Sequence, residues 1–189
     1  MRLFIAIDLD DAARAAIGRE QKRLAAAIGD KRRSAMKWVR PDHMHLTLAF
    51  LGEVDEGRAP SLIEDAGADL PHDVFDLRFG GFGVFPPRGA PNVLWLGVAA
   101  GAEPAAALQR TVADRVRQHG VALEARPFHP HLTLARYRNA GPADRQRVMT
   151  AGVHDVAAMR VDHVTMYQSH LSSAGPSYTV LARANLRTA

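Results

Sequence analysis

One eleven-residue stretch occurs twice, and it limits what the chain can fold into more than any other feature. Residues 40–50 read R-P-D-H-M-H-L-T-L-A-F, and residues 126–136 read R-P-F-H-P-H-L-T-L-A-R. Eight of the eleven places agree, and each copy centres on a His-x-Thr triplet: His45 with Thr47, and His131 with Thr133. One copy in each half of the chain marks an internal duplication. The fold has to bring the two stretches into equivalent settings.

The flanking elements repeat as well. Residues 2–9 form a dense apolar run closed by Asp8 and Asp10, which reads as a buried strand. Residues 11–28 follow with helical spacing at Ala13, Ile17, Leu24 and Ile28, an aspartate cap and Gly29 as a stop. Strands are expected at 36–40 and 43–51, a helix at 60–70 behind Pro60, and a strand at 73–79 loosened by Gly80, Gly81 and Gly83. The proline-rich segment 85–92 reads as the connector between halves 1–85 and 93–189. The order then returns: a strand at 93–99, a helix at 103–119, the second His-x-Thr strand at 130–136, a weaker helix after Pro142, and strands at 160–171 and 178–184. The expected architecture is a single bilobal α+β domain. Two antiparallel-type sheets with outer helices would be related by a pseudo-two-fold axis about a central groove.

Side chains alternate along a strand. His43, His45 and Thr47 are therefore expected on one face, with Leu46 and Leu48 on the other; His129, His131 and Thr133 oppose Leu132 and Leu134 in the same way. The leucines pack inward and the polar faces line the groove. Two imidazoles flanking one space suit paired acid–base work, because histidine titrates near neutrality. The threonine hydroxyls can donate to an anion held between them, and a phosphodiester fits. A second reading takes His43-x-His45 and His129-x-His131 as four imidazoles converging on zinc or another divalent ion. Gly80, Gly81 and Gly83 are not followed by Gly-Lys-Ser/Thr, so they read as a turn rather than a phosphate loop.

Composition removes several classes. The 189 residues contain no cysteine, which excludes disulfides, thiolate metal sites and a cysteine nucleophile. A net charge of +4 is compatible with phosphate or nucleic-acid ligands. The opening apolar run is too short for a signal peptide or a membrane span, so a cytoplasmic protein that does not engage membranes is expected.

Four blocks carry a resemblance: R-L-F-I-A-I-D-L at the start, W-V-R-P…H-L-T-L-A-F-L-G over 38–52, P-H-L-T-L-A-R over 130–136, and Y-Q-S-H-L…G-P-S-Y-T-V-L over 167–181. In order and spacing they resemble the 2H phosphoesterase superfamily, and within it the RNA 2′,3′-cyclic phosphodiesterases, also called the 2′-5′ RNA ligase family. The resemblance covers nearly the whole chain. It implies the bilobal fold and hydrolysis of 2′,3′-cyclic phosphate ends of RNA or nucleotides to 2′-phosphates, without metal or other cofactor. Reverse ligation would use the same site.

By the same resemblance His45 matches the proton donor, His131 the proton acceptor, Thr47 and Thr133 the phosphate-binding threonines, and Arg136 an arginine at the phosphate. His43 and His129 depart from the family pattern and read as supporting residues. Trp38, Phe50, Phe85 and Tyr137 are candidates to stack on bases, and Trp95 reads as core. Lys31, Arg32, Arg33, Arg40, Arg88 and Arg126 are candidates for backbone electrostatics, while Ser169 and Tyr178 read as structural. A monomer without an obligate protein partner is expected, since the duplication supplies both half-sites. A non-catalytic RNA- or nucleotide-binding module is the remaining alternative.

Overall fold

The computed structural model describes residues 1–29, 36–138, 140–150, 155–172 and 175–188. The Lys31-Arg32-Arg33 cluster lies outside the described residues. The elements in order are β1 (Arg2–Asp8), α1 (Asp11–Ala27), β2 (Met36–Trp38), a 3₁₀ turn (Pro41–His43), β3 (His45–Glu53), α2 (Ala59–Ala66), β4 (Leu70–Asp73), β5 (Phe75–Phe85), β6 (Val93–Ala100), α3 (Ala102–Gln118), β7 (His131–Tyr137), α4 (Pro142–Met149), β8 (Asp155–Val161), β9 (His163–Ser172) and β10 (Gly175–Arg187). Among the described residues no helix is long and apolar enough to cross a membrane.

The helices begin and end where backbone chemistry requires. Asp10 caps α1, its carboxylate accepting the Ala13 N–H at 2.7 Å. Gly29 and Gly120, both with positive φ, follow the C-terminal ends of α1 and α3. Each helix buries one face: Ala13, Ile17 and Leu24 on α1, and Ala105, Leu108, Val112 and Val116 on α3.

The strands form one hydrogen-bonded path, β4-β10-β9-β1-β3-β7-β6-β5-β8, with β2 beside β7. It consists of two half-sheets joined at a seam. Among the described residues β3 and β7 share one partner position, Leu46 with Leu132, and both side chains are fully buried. All the pairings are antiparallel except the edge pair β4–β10.

The duplicated unit is β-α-β-α-β-β, and both copies distribute it in the same crossed manner. In the first copy, β1, β3 and β4 lie in one half-sheet and β5 joins the other, beside β6. In the second, β6, β7 and β8 lie together and β9 crosses back to β1. The helices cross too: α1 packs on β8, and α3 packs on β3 and α2. Halves in space therefore differ from the sequence halves 1–85 and 93–189.

Two expectations change accordingly. Segment 85–92 joins the repeat copies in sequence, but in space it is the loop of the β5–β6 hairpin within one half, with Phe85 opposite Val93. The strand expected at 160–171 breaks at Asp162 into β8 and β9, which belong to opposite halves. A continuous alternating pattern conceals such a break.

Both His-x-Thr strands also carry a β-bulge just past the threonine. On β7, Trp95 pairs with Thr133 but Leu94 pairs with Ala135; on β3, Ala6 pairs with Thr47 but Ile5 pairs with Ala49. The consecutive residues Leu134-Ala135 and Leu48-Ala49 are consequently all buried. A bulge inverts the alternation beyond it. The Leu134 carbonyl at the bulge accepts from the Val39 N–H at 2.9 Å and from Gln21 Nε2 on α1 at 3.0 Å. This polar contact anchors α1 to the second half.

Candidate active site

The seam positions both triplets. Extending the Leu46–Leu132 register sets His45 across from Thr133 and Thr47 across from His131. The two histidines are then diagonal neighbours, whose spacing in antiparallel pairs is roughly 7–8 Å. That leaves room for one phosphorus with an imidazole on either side. The hydroxyls of Thr47 and Thr133 are half-buried and take no partner among the described residues, so they are free to donate to a ligand.

Each catalytic candidate is oriented by the carbonyl two residues before it. His131 Nδ1 lies 2.6 Å from the His129 carbonyl, and the His43 carbonyl hydrogen-bonds His45. An Nδ1–H donating to a carbonyl leaves Nε2 to handle the proton of the reaction. His43 and His129 thus offer their carbonyls to the two imidazoles, a contact open to any residue. His43 is not on the strand: Pro41 starts a 3₁₀ turn that carries it, and its ring rests against Tyr178 at 5.2 Å. His129 precedes β7 and its ring meets Trp95 at 4.8 Å. The four imidazoles therefore do not gather. Among the described residues no three histidine, aspartate or glutamate side chains are disposed to hold a metal ion.

The bulges decide what lies next to the space between the two imidazoles. Simple alternation would turn Arg136 toward the core with Leu132 and Leu134; the bulge returns it to the groove face. Its charge acts there on both His131 and Tyr178. Phe50 holds the matching place in the first copy and is re-aimed in the same way, 63% exposed and 6.2 Å from Phe4.

The two imidazoles sit among aromatic rings. Phe4 stacks on His45 at 4.7 Å, and Tyr178 meets its edge at 5.5 Å. Phe85 meets His131 at 5.1 Å. Trp95, expected in the core, faces the groove instead, paired with Thr133 and 6.3 Å from His131; its indole lies over Gly83. Trp38 and Tyr137 pack against the core. Ser169 lies opposite Tyr178 on the groove face. Arg40 and Arg126 are paired with Asp42 and Glu124, and Arg88 is exposed in the β5–β6 loop.

Electrostatics separate the two histidines. Burial pushes His45 down to about 4, opposed by the His43 carbonyl and the Asp8 carboxylate; the His43 ring adds a smaller downward push. Burial also lowers His131, opposed by the His129 carbonyl, and the His129 ring and Arg136 lower it further. Sequence reasoning missed Asp8 as a site residue, reading it as the end of a strand. It lies opposite His45 and accepts from Tyr167 Oη at 2.6 Å and Thr165 Oγ1 at 2.7 Å, with His163 Nε2 3.5 Å away. Burial alone would raise Asp8, but the hydrogen bonds from His163, Tyr167 and Thr165 outweigh it and hold the carboxyl at about 2.

A duplicated α+β fold whose two half-sheets present matched His-x-Thr faces across a seam defines the paired-histidine phosphoesterase class. The model of the 2′-5′ RNA ligase superfamily matches residues 10–172, and the chain belongs to that family. An Archaeoglobus fulgidus protein named RNA 2′,3′-cyclic phosphodiesterase is 32% identical over 178 residues, covering 94% of this chain and 96% of its own. A crystal structure of a Thermus thermophilus protein superposes with a TM-score of 0.81 at 30% identity, covering 100% of this chain and 99% of that one. Escherichia coli LigT complexed with 3′-AMP superposes at 0.76 and 29% identity, with 98% and 97% covered.

Proposed function

We propose that the protein hydrolyses 2′,3′-cyclic phosphate ends of RNA or nucleotides to 2′-phosphates by paired histidine acid–base catalysis, without a metal ion. The observation that carries this reading is the pair of His-x-Thr faces set across one seam, each imidazole fixed through the carbonyl two residues back. The names of the relatives support the substrate class.

His131 Nε2 takes a proton from water, which attacks phosphorus in line, and protonated His45 gives its proton to the departing 3′-oxygen. Thr47, Thr133 and Arg136 hold the non-bridging oxygens, whose charge grows in the transition state. Relief of strain in the five-membered ring lowers the barrier. The phosphate anion counters the burial that depresses both imidazoles, so its arrival raises their affinity for protons and helps charge His45. Ligation uses the same groups: a 5′-hydroxyl in place of water gives its proton to His131 and attacks the cyclic phosphate, the bond to the 3′-oxygen breaks, and a 2′-5′ phosphodiester and a 3′-hydroxyl result. One chain holds both histidines, so a monomer suffices, and the chemistry suits cytoplasmic RNA.

The test is hydrolysis of a 2′,3′-cyclic nucleotide with and without EDTA, the product being resolved into 2′- and 3′-phosphate. Turnover should survive EDTA, yield 2′-phosphate, and fall by roughly 10²–10⁴-fold in His45→Ala and His131→Ala. Loss in EDTA restored by zinc would overturn the mechanism. RNA binding without turnover would leave a binding module.

A further inference from the structure

The two copies match at the triplet but not on the strand beside it. Opposite His45 on β1 stands Asp8; opposite His131 on β6 stands Gly97, with no side chain. The Asp8 side chain is 19% exposed, and neighbours on β9 hold its oxygens: Tyr167 on Oδ1, Thr165 and His163 on Oδ2. Thr165 is fully buried and also receives Arg183 Nε from β10 at 3.4 Å. Asp162 in turn pairs with the far nitrogen of His163. Tyr167 stacks on Phe4, which stacks on His45, so this network and the imidazole share one packed unit.

Resting on the reaction proposed above, we infer that Asp8 is a positioning residue that favours protonation of His45 against its burial, so that His45 serves as the acid and His131 as the base. A symmetric pair of histidines has no intrinsic direction. Either could take the proton, and the reaction needs one charged and one neutral. A carboxylate next to one imidazole lowers the free energy of the cation there. The second half offers the reverse, because the charged neighbour of His131 is Arg136.

The groups facing His45 are Asp8 from β1, the His43 ring and carbonyl from the 3₁₀ turn, and the Tyr178 phenol from β10. Those facing Asp8 are His163, Thr165 and Tyr167 from β9, with Arg183 of β10 behind Thr165. Among the described groups around His45, Asp8 alone is an anion. Its hydrogen bonds keep it ionised over the pH range in which the histidines titrate. The Asp8–His163 ion pair dilutes the effect but does not cancel it, because His163 is itself shared with Asp162.

The experiment compares wild type, Asp8→Asn and Tyr167→Phe. Histidine ring resonances are titrated by NMR in ligand-free protein, and kcat/KM is measured on a 2′,3′-cyclic nucleotide and on its analogue with sulfur at the 3′ position. A thiolate leaves without a proton, so that analogue needs no acid. In Asp8→Asn the His45 resonance should titrate at lower pH and that of His131 should stay in place. At pH 7, far above the His45 midpoint, kcat/KM should fall by roughly three- to tenfold on the oxygen substrate. The sulfur substrate should show no such loss. Tyr167→Phe keeps the charge and the stacked ring, and its His45 titration should match wild type.

The role of Asp8 is refuted if His45 titrates unchanged in Asp8→Asn, if His131 moves equally, if the sulfur substrate loses as much, or if Tyr167→Phe has the same effect. Absence of cyclic-phosphate turnover in wild type would refute the proposed function instead. The titrations judge Asp8 independently of turnover.

Discussion

Gly83 supports the second histidine from below, and adding one methyl group there tests how tightly the groove is built. Gly83 and Trp95 are direct partners across β5 and β6, and the indole folds over the glycine. A Cβ at position 83 would lie 2.0, 2.3 and 2.5 Å from three atoms of the ring, whereas ordinary contact begins at 3.4 Å. The backbone at Gly83 does not have positive φ, so the obstacle in Gly83→Ala is steric. The ring must retreat by about 1.4 Å, the difference between 3.4 and 2.0 Å. Its way is hemmed by Phe85 at 5.3 Å and His129 at 4.8 Å, and His129 is the residue whose carbonyl orients His131. Overpacking of this kind costs about 1–3 kcal/mol. Misplacement of a catalytic group by about 1 Å can lower turnover by roughly 10²-fold. Urea unfolding and kcat/KM of Gly83→Ala, Trp95→Leu and the double variant form a thermodynamic cycle. With the indole gone, the methyl group has space, so the double variant should be more stable than the sum of the singles by about 1 kcal/mol or more. Additivity within about 0.5 kcal/mol, or an unchanged Gly83→Ala, would refute the contact.

Three further outcomes follow from the same geometry. The proposed mechanism needs His45 protonated and His131 neutral, and both midpoints lie below 6.5, His45 at about 4. The kcat/KM profile should therefore peak below pH 6.5 and fall about tenfold per unit above it; a maximum at pH 8 would contradict this. Asp8 is held at about 2 against an ordinary 3.8, so its folded-state value is depressed. Its contribution of about 2 kcal/mol is present above pH 3.8 and is lost as pH falls toward 2. Asp8→Asn should accordingly be less stable than wild type at pH 6, by chemical denaturation, and the gap should close by pH 2. Leu46→Ala removes a fully buried side chain at the seam and should cost roughly 2–5 kcal/mol in urea unfolding, whereas Leu171→Ser, 66% exposed, should stay within about 0.5 kcal/mol.

What was legible in the sequence was local. Asp10, Gly29 and Gly120 mark helix ends because caps and positive-φ stops involve only neighbouring residues, and α1 and α3 fall within a residue or so of the expected spans. The triplets declared themselves by repetition. The exchange of β5 and β9 between halves was not legible, because strand partnership is a long-range choice that alternation does not encode. Nor were the bulges: Leu134-Ala135 and Leu48-Ala49 read as ordinary strand, yet the extra residue turns Arg136 and Phe50 into the groove. Trp95 looked like core because its run is apolar on both faces; the bare glycine across from it, Gly83, and Gly97 two residues on along its own strand leave the space in which the indole lies on the groove side.

The differences between the copies matter as much as the likeness. Shared residues build a two-fold frame, and such a frame alone would treat the attacking and the leaving oxygen alike. Hydrolysis needs a direction. It can come only from positions where the copies part, among them Arg136 against Phe50 at the end of the repeat and Asp8 against Gly97 on the adjoining strand. The first places a cation beside His131 and the second an anion beside His45, so both push toward a neutral His131 and a charged His45, the second against the burial that lowers His45. Exchanging the Arg136 and Phe50 side chains should therefore weaken the polarity without disturbing the frame, and Asp8→Asn in that background should cost more activity than it does alone.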